Sequence, residues 1–486
     1  MPITPVSLGL RSNADRSAES GAGRLINCYA EDMGEDALHR YPVYACDGFS
    51  SFATLTGTGN GVVRGGINFD DSTLYVVTGT RINRVSSSGT ATDMGALATS
   101  GYAYFARNVK SPNAQIGLVT SDGLFRIIEN NSVSTPTLDG SIPSSTFNSI
   151  MEIDGYFLIT CSGGDFYITS IDEGTTIDAL DFASASANSD GLLRGVKRGV
   201  EAVLLGPRST EFWRNTRAAD FPFERVHAAL FGCYSAASAA TVSAVIDGKT
   251  VDAVIMAATN VDGAYIGVML VPGYDATKIS TEALDRKIRD ETTPSSIRAF
   301  THTRNGTTFY TIGTSTWTWE YNCRTGFWHE RRSMGLDIWR VVDAFQFGTK
   351  TIYADYAAGT LYQASSALTP ASASQVTLRQ SIDGGLTWRT ARTKAIGTAG
   401  SENIRLRFNR LGKANEDGRC FELTMSNAIV ENSTGTDIQV LPPAVHSYPA
   451  RTICHALFVN VTSGASLTSK PKGFRGMAAD IEGLSA

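Results

Sequence analysis

The residues able to do chemistry in this chain are placed in ways that exclude most chemistry. Six histidines (His39, His227, His302, His329, His446, His455) show neither an HExxH run nor a pair four residues apart, the spacing that sets two imidazoles on one helix face for zinc. Seven cysteines stand singly with no CxxC pair, so zinc ribbons and thiol redox motifs are not indicated and reduced thiols are expected. Carboxylates that cleave a glycoside must flank the sugar from opposite sides, whereas Glu31-Asp32, Asp70-Asp71 and Glu416-Asp417 are adjacent and turn-located. The GTGNG run at 57–61 lacks the strand-then-helix setting and the Lys-Ser/Thr tail of a phosphate loop, and no G-x-S-x-G elbow occurs. No catalytic, cofactor-binding or metal-ligating set is selected.

Two positive patterns remain. SIDGGLTW places Ser381, Asp383, Gly385, Thr387 and Trp388 in the S-x-D-x-G-x-T-W register of an Asp-box. Asp383 can accept backbone N–H bonds across the turn, Gly385 can adopt a positive φ, and Trp388 can plug the hairpin against its own sheet, which makes the motif a folding device. Sialidases carry several such boxes away from their catalytic centre, and here there is one. Secondly, Trp317, Trp319 and Tyr321 alternate and so share one strand face, and NCRTG can turn the chain to return Trp328. A carbohydrate platform has this pattern and so does a core between sheets; we read core.

The elements that must hold these residues are strands. With 486 residues, 47 Gly, 17 Tyr, 22 Phe and 6 Trp, the chain suits many short strands joined by tight turns. Seven alternating stretches closed by Gly, Asp or Asn turns lie at 65–89, 116–132, 150–170, 200–216, 252–271, 307–330 and 342–364. Units of this length with two to four strands each predict an all-β fold, an irregular β-propeller of about seven blades. One short helix is expected at 280–293, between blades. Residues 1–55 read as an N-terminal arm with first strands, 56–366 as the propeller, and 367–486 as a C-terminal β-sandwich-like domain that opens on the linker LTPASASQ. Between Arg379 and Glu422 there are nine basic and five acidic residues, which we read as a solvated strand face ahead of the alternative, a nucleic-acid patch.

A net charge of −5 argues against a protein that coats nucleic acid by neutralising phosphates, which needs a clustered basic face, although a basic stripe can hide inside that total. Only ten of the 42 basic residues are Lys, a bias toward Arg that suits interface ion pairs or reflects genome composition. The N-terminus is not read as a secretory leader. The uncharged stretch 228–246 is too rich in Ser and Ala to prefer lipid, so no membrane span is expected.

Four segments carry a family resemblance. LINCYAE with VVRGGINFDDSTLYVVTGTRINRVSSSG, GGDFYITSIDEGTTIDALDFASASANSDGLL followed by GPRSTEFWRNT, KISTEALDRKIRD, and SIDGGLTW with NIRLRFNRLGKANEDGRCFELTMSN resemble the packaged DNA stabilization proteins, the tail hub or nozzle components of short-tailed bacteriophages. The last sixty or so residues run beyond the resemblance. It implies a structural virion protein without catalysis or cofactor, assembled in the host cytoplasm into the tail as a ring, a hexamer by family pattern. Its implied neighbours are a portal-adaptor ring above and needle, fibre or spike proteins beside or below. Double-stranded DNA would pass through and be retained until ejection, and a neutral or acidic lining would let it slide. The alternatives are a propeller glycosidase or sialidase and a glycan-binding tail module acting on host surface sugars.

Overall fold

The computed structural model describes residues 23–365 apart from 36–39, 47, 58, 60, 98–100, 144, 247–248, 334 and 358, together with the segments 4–6, 10–13, 374–382, 387–397, 404–409, 420–425, 444–446, 456–461 and 479–481. Seven antiparallel sheets follow one another in chain order. They occupy residues 63–96, 103–134, 147–184, 194–229, 231–278, 298–330 and 341–365, here blades 1 to 7. Each of the seven alternating stretches in the sequence falls in a different blade. Turn chemistry explains the tight hairpins: Asn130-Asn131 and Asn305-Gly306 have positive φ at both central positions, as type I′ turns require, and join strands paired at Glu129↔Ser132 and Arg304↔Thr307.

The first strand of each blade packs on the first strand of the next, with Ala240–Ile246 taking that place in blade 5, and that of blade 7 returns to blade 1, so the inner strands ring an axis. At Gly65, with φ of 155°, a Cβ would stand 2.2 Å from the Ala103 carbonyl oxygen, and the missing side chain lets the inner strands of blades 1 and 2 meet. Blade 5 departs from the pattern. Its twelve-residue strand Lys249–Asn260 pairs with both Phe231–Cys233 and Ala240–Ile246, and the 3₁₀ turn Ala236–Ser238 interrupts that inner edge.

Burial follows strand alternation, since each blade turns one face to each neighbour. Val76 and Leu74 of blade 1 pack with Phe345 and Ile352 of blade 7, and Val77 packs with Leu118 of blade 2. Comparable cores fill the gaps between blades 2 and 3, 3 and 4, 4 and 5, and 5 and 6. The helix Glu282–Arg289 sits between blades 5 and 6, where Leu284 and Ile288 join that core.

The arm is part of this body. Gly48–Thr54, which the sequence reading left in the arm, is the fourth strand of blade 7, antiparallel to Thr360–Ser365. Phe49 packs there against Trp339 and Tyr353, at ring separations of 5.7 and 4.7 Å. Arg24–Ile26 pairs in parallel with the last strand of blade 6 and antiparallel with Ala444–His446, so strands at 374–381, 392–397, 420–425 and 444–446 continue the blade 6 sheet outward. A second C-terminal sheet joins 404–409, 456–461 and 479–481 to Thr4–Val6.

Candidate functional site

Blade 6 concentrates the side chains that sequence reading singled out and others that it missed, on opposite faces of the same strands. In Thr318–Asn322 the odd residues Trp319 and Tyr321 point toward blade 5 and join Trp317, Trp328, Tyr310 and the helix in one core. The four predicted aromatic residues are between 1% and 8% exposed, and Trp328 Nε1 donates to the Ile279 carbonyl at 2.7 Å. Their ring faces are packed against protein, which suits the core reading.

The even residue, Glu320, points the other way and is 1% exposed. Its carboxylate accepts from Thr311 Oγ1 at 3.0 Å and from Arg331 Nη1 at 2.9 Å, with His302 Nε2 at 2.8 Å and His329 Nε2 at 2.7 Å. Blade 7 reaches in through the Tyr353 hydroxyl, 3.3 Å from His302 Nδ1, and the Arg331 guanidinium lies 3.8 Å from the centre of the Trp339 ring. Between blades 6 and 7, therefore, an ionic cluster takes the place of part of the apolar packing. Burial would raise the Glu320 acid, but Arg331 and the two histidines outweigh it and hold the group well below its usual range. Burial pushes His302 down, whereas at His329 hydrogen bonds with Cys46 and Glu320 overcome burial and lift it. Cys46 is drawn down against its burial by Arg331, Arg304 and His329.

Cys46, His329 and Glu320 are ordered like a nucleophile, base and orienting carboxylate, and their ligand atoms lie within 4.8 Å of one another, close enough to share a cation. Two features make the trio structural. All three are buried, so no substrate reaches the thiol, and Arg331 shares the carboxylate, so a cation would meet a buried guanidinium. Sequence reading passed over this set because its members lie 283 residues apart from Cys46 to His329 and no local spacing joins them.

The second concentration of polar groups lines the axis. A cavity of about 300 Å³ collects Arg64 of blade 1, Tyr102 and Tyr104 at blade 2, Arg194 of blade 4, Arg298 of blade 6 and Asp343 of blade 7. Arg64 donates to the Gly79 carbonyl at 2.8 Å and to that of Gly101; Arg194 donates to the carbonyls of Ala236 and Ala239 at 3.1 and 2.7 Å and stacks 4.4 Å from the Tyr104 ring centre. A neighbouring hollow carries the lining on to Arg107, Lys197 and Glu152. The axis is thus basic in an acidic protein, which composition could not reveal.

Several arginines are paired within the chain: Arg126, Arg198 and Arg331 are buried against Asp122, Glu201 and Glu320, and Arg24 and Arg340 pair with Glu330 and Asp355.

The family model described as "Bacteriophage P22 Gp10, beta-propeller" matches residues 46–369. The chain belongs to this phage stabilization family. The match begins two residues before the strand that completes blade 7 and ends just after that blade, so the family unit is the closed propeller. Membership makes this a phage structural protein. No curated protein matches the chain. Among solved structures it is similar to the WD40 propeller domain of Doa1 (10% identity over 65% of this chain and 96% of that one, TM-score 0.39) and to streptogramin B lyase (11%, 65% and 96%, 0.43). It is also similar to the extracellular domain of a hybrid two-component system from B. thetaiotaomicron (9%, 86% and 51%, 0.44). The Asp-box lies beyond the family match. Ser381 is buried at the end of Ser374–Ser381, Thr387 is exposed, and Trp388 is half-buried with the Arg379 guanidinium 5.4 Å from its ring centre. Asp383 and Gly385 lie outside the described residues. No helix among the described residues is long and apolar enough to cross a membrane.

Proposed function

We propose that this protein is a tail hub or nozzle component: copies of the chain form a ring that extends the head-to-tail channel, closes it, and helps retain packaged DNA until ejection. Family membership over the closed propeller is the observation that carries this reading. The physics is compatible with it. Six interblade cores, the ionic cluster and the returning strand make a body in which the blades hold one another, as a part bearing pressure from a packed genome must be. The work is done by assembly, with head-to-tail contacts between unlike patches of neighbouring copies giving the ring, expected to be six-fold by family pattern. Portal-adaptor proteins above, needle, fibre or spike proteins beside or below, and DNA passing without sequence-specific contacts complete the proposed setting, in the virion tail after assembly in the host cytoplasm.

The deciding experiment makes phage particles that lack the protein. Heads are expected to package DNA and then lose it, and purified protein added to portal and adaptor rings is expected to form a ring at the tail vertex by electron microscopy. Particles that keep their DNA and infect normally without the protein would end this reading.

A further inference from the structure

The axial cavity holds a surplus of hydrogen-bond donors. Arg298 opens the inner strand of blade 6 and makes no hydrogen bond or ion pair among the described residues, although protein surrounds it on most sides. Arg194 is fixed by two carbonyls through Nη1, yet its Nε is buried without a hydrogen-bond partner. The hydroxyls of Tyr102 and Tyr104, whose rings stack at 6.3 Å, likewise have no hydrogen-bond partner among the described residues. Carbonyl oxygens hold Arg194 in place without cancelling its charge. Among the described residues the only carboxylate in the lining is Asp343, one of whose oxygens already accepts from the Ala344 N–H at 2.9 Å. Burial raises its acid to about 7 despite Arg298 and Arg194, so near neutrality its negative charge is incomplete. Arg298 and Arg194 therefore face a single carboxylate, already engaged by a backbone N–H.

One buried orphan donor, Arg194 Nε, beside uncancelled cationic charge in a partly enclosed cavity calls for a ligand that supplies oxygen acceptors and negative charge. We propose that this cavity binds a phosphoryl group, as inorganic phosphate or a small phosphate monoester, held by Arg298, Arg194 Nε and the Tyr102 and Tyr104 hydroxyls. A tetrahedral dianion offers acceptors in the several directions from which donors on blades 2, 4 and 6 converge, whereas a planar carboxylate serves one guanidinium fork. At about 300 Å³ the space exceeds a bare phosphate and leaves room for a small ester. The hydroxyl-bearing part of such an ester would find Asp343 as its acceptor. The site does not depend on ring assembly, so it stands or falls separately from the tail-hub reading.

The test is titration calorimetry on the full chain at constant ionic strength with inorganic phosphate, glycerol phosphate and acetate. Saturable binding of phosphate or its ester is expected, with acetate weaker. Tighter binding of glycerol phosphate would identify an ester, and equal or tighter binding of inorganic phosphate would identify the free ion. Arg298→Gln is expected to weaken binding by about tenfold or more, the loss of a charge-assisted contact. Asp343→Asn, which removes the competing charge, is expected to tighten it at pH 8. Circular dichroism checks that each variant is folded; were Arg298→Gln to misfold, the gain in Asp343→Asn decides. No saturable binding at tens of millimolar phosphate, acetate binding as well as phosphate, or affinity unmoved by folded variants would overturn the proposal.

Discussion

Glu320→Gln is the most demanding test of the ionic cluster. The carboxylate has four partners on its two oxygens, at 2.7 to 3.0 Å, and no solvent to replace any of them. Glutamine keeps one oxygen, which can still serve Arg331 and His329, but turns its amide N–H groups toward Thr311 and His302, which must now accept. Both contacts are recoverable as neutral bonds, since the Thr311 hydroxyl can turn and His302 can change tautomer. The loss is then the charge-strengthened part of these bonds plus the cost of leaving Arg331 buried beside a neutral group. Together these place the destabilisation at about 3 to 5 kcal/mol. Urea unfolding at pH 7 reads it, with Arg331→Met and the double variant completing a cycle in which the pair should couple by about 2 kcal/mol or more. The acid limb supplies a second readout. Because Glu320 is depressed in the folded state, its contribution is present above its usual value of 4.5 and is lost as pH falls through the folded value. The variant should therefore vary less with pH in that range than the wild type. The surface pair Glu282–Arg289 is the control, and Glu282→Gln should change stability by no more than about 0.5 kcal/mol. A Glu320→Gln cost below about 1 kcal/mol, or a cycle with no coupling, would refute the reasoning.

Two further outcomes follow from packing and charge. Phe49→Ala removes a buried ring from the strand that completes blade 7 and should cost about 3 to 5 kcal/mol by thermal unfolding, while Phe49→Leu should retain most of the stability. Asp343 is raised in the folded state to about 7, so the stability linked to its proton is full below its usual 3.8 and is lost as pH rises through 7. Asp343→Asn should therefore gain on the wild type between pH 4 and 8, by about 1 to 3 kcal/mol once the residue's partial exposure is allowed for, and an unchanged difference across that window would contradict the assignment.

Much of the propeller is written in local pattern. Each alternating stretch from 65–89 to 342–364 became a blade because period-two burial and turn residues such as Asn305-Gly306 act over a few positions. The helix is legible for the same reason: it was expected at 280–293 and spans Glu282–Arg289. In Thr318–Asn322 the aromatic half of the alternation drew notice as a core, while Glu320 between Trp319 and Tyr321 gained meaning only when Cys46, His302 and Arg331 arrived from other strands. Which strand completes blade 7, and where the C-terminal strands pair, were beyond reach, because hydrogen bonding between Gly48–Thr54 and Thr360–Ser365 leaves no trace in either segment alone. The axial arginines were counted but could not be located, since the ring that gathers them exists only in three dimensions.

The strand Gly48–Thr54 also sets a timetable. It leaves the ribosome early, yet its partner Thr360–Ser365 is made more than 300 residues later. At about 5 to 20 residues per second, the segment waits roughly a quarter of a minute to a minute before it can be sheltered. During that interval Phe49 and the exposed edge it belongs to are open to wrong partners, including the same segment of a neighbouring nascent chain on one message. Seating it is a long-range, slow contact, so the mature body forms in one late event. Slowing translation anywhere between these two segments should lower the yield of native protein more than slowing it afterwards.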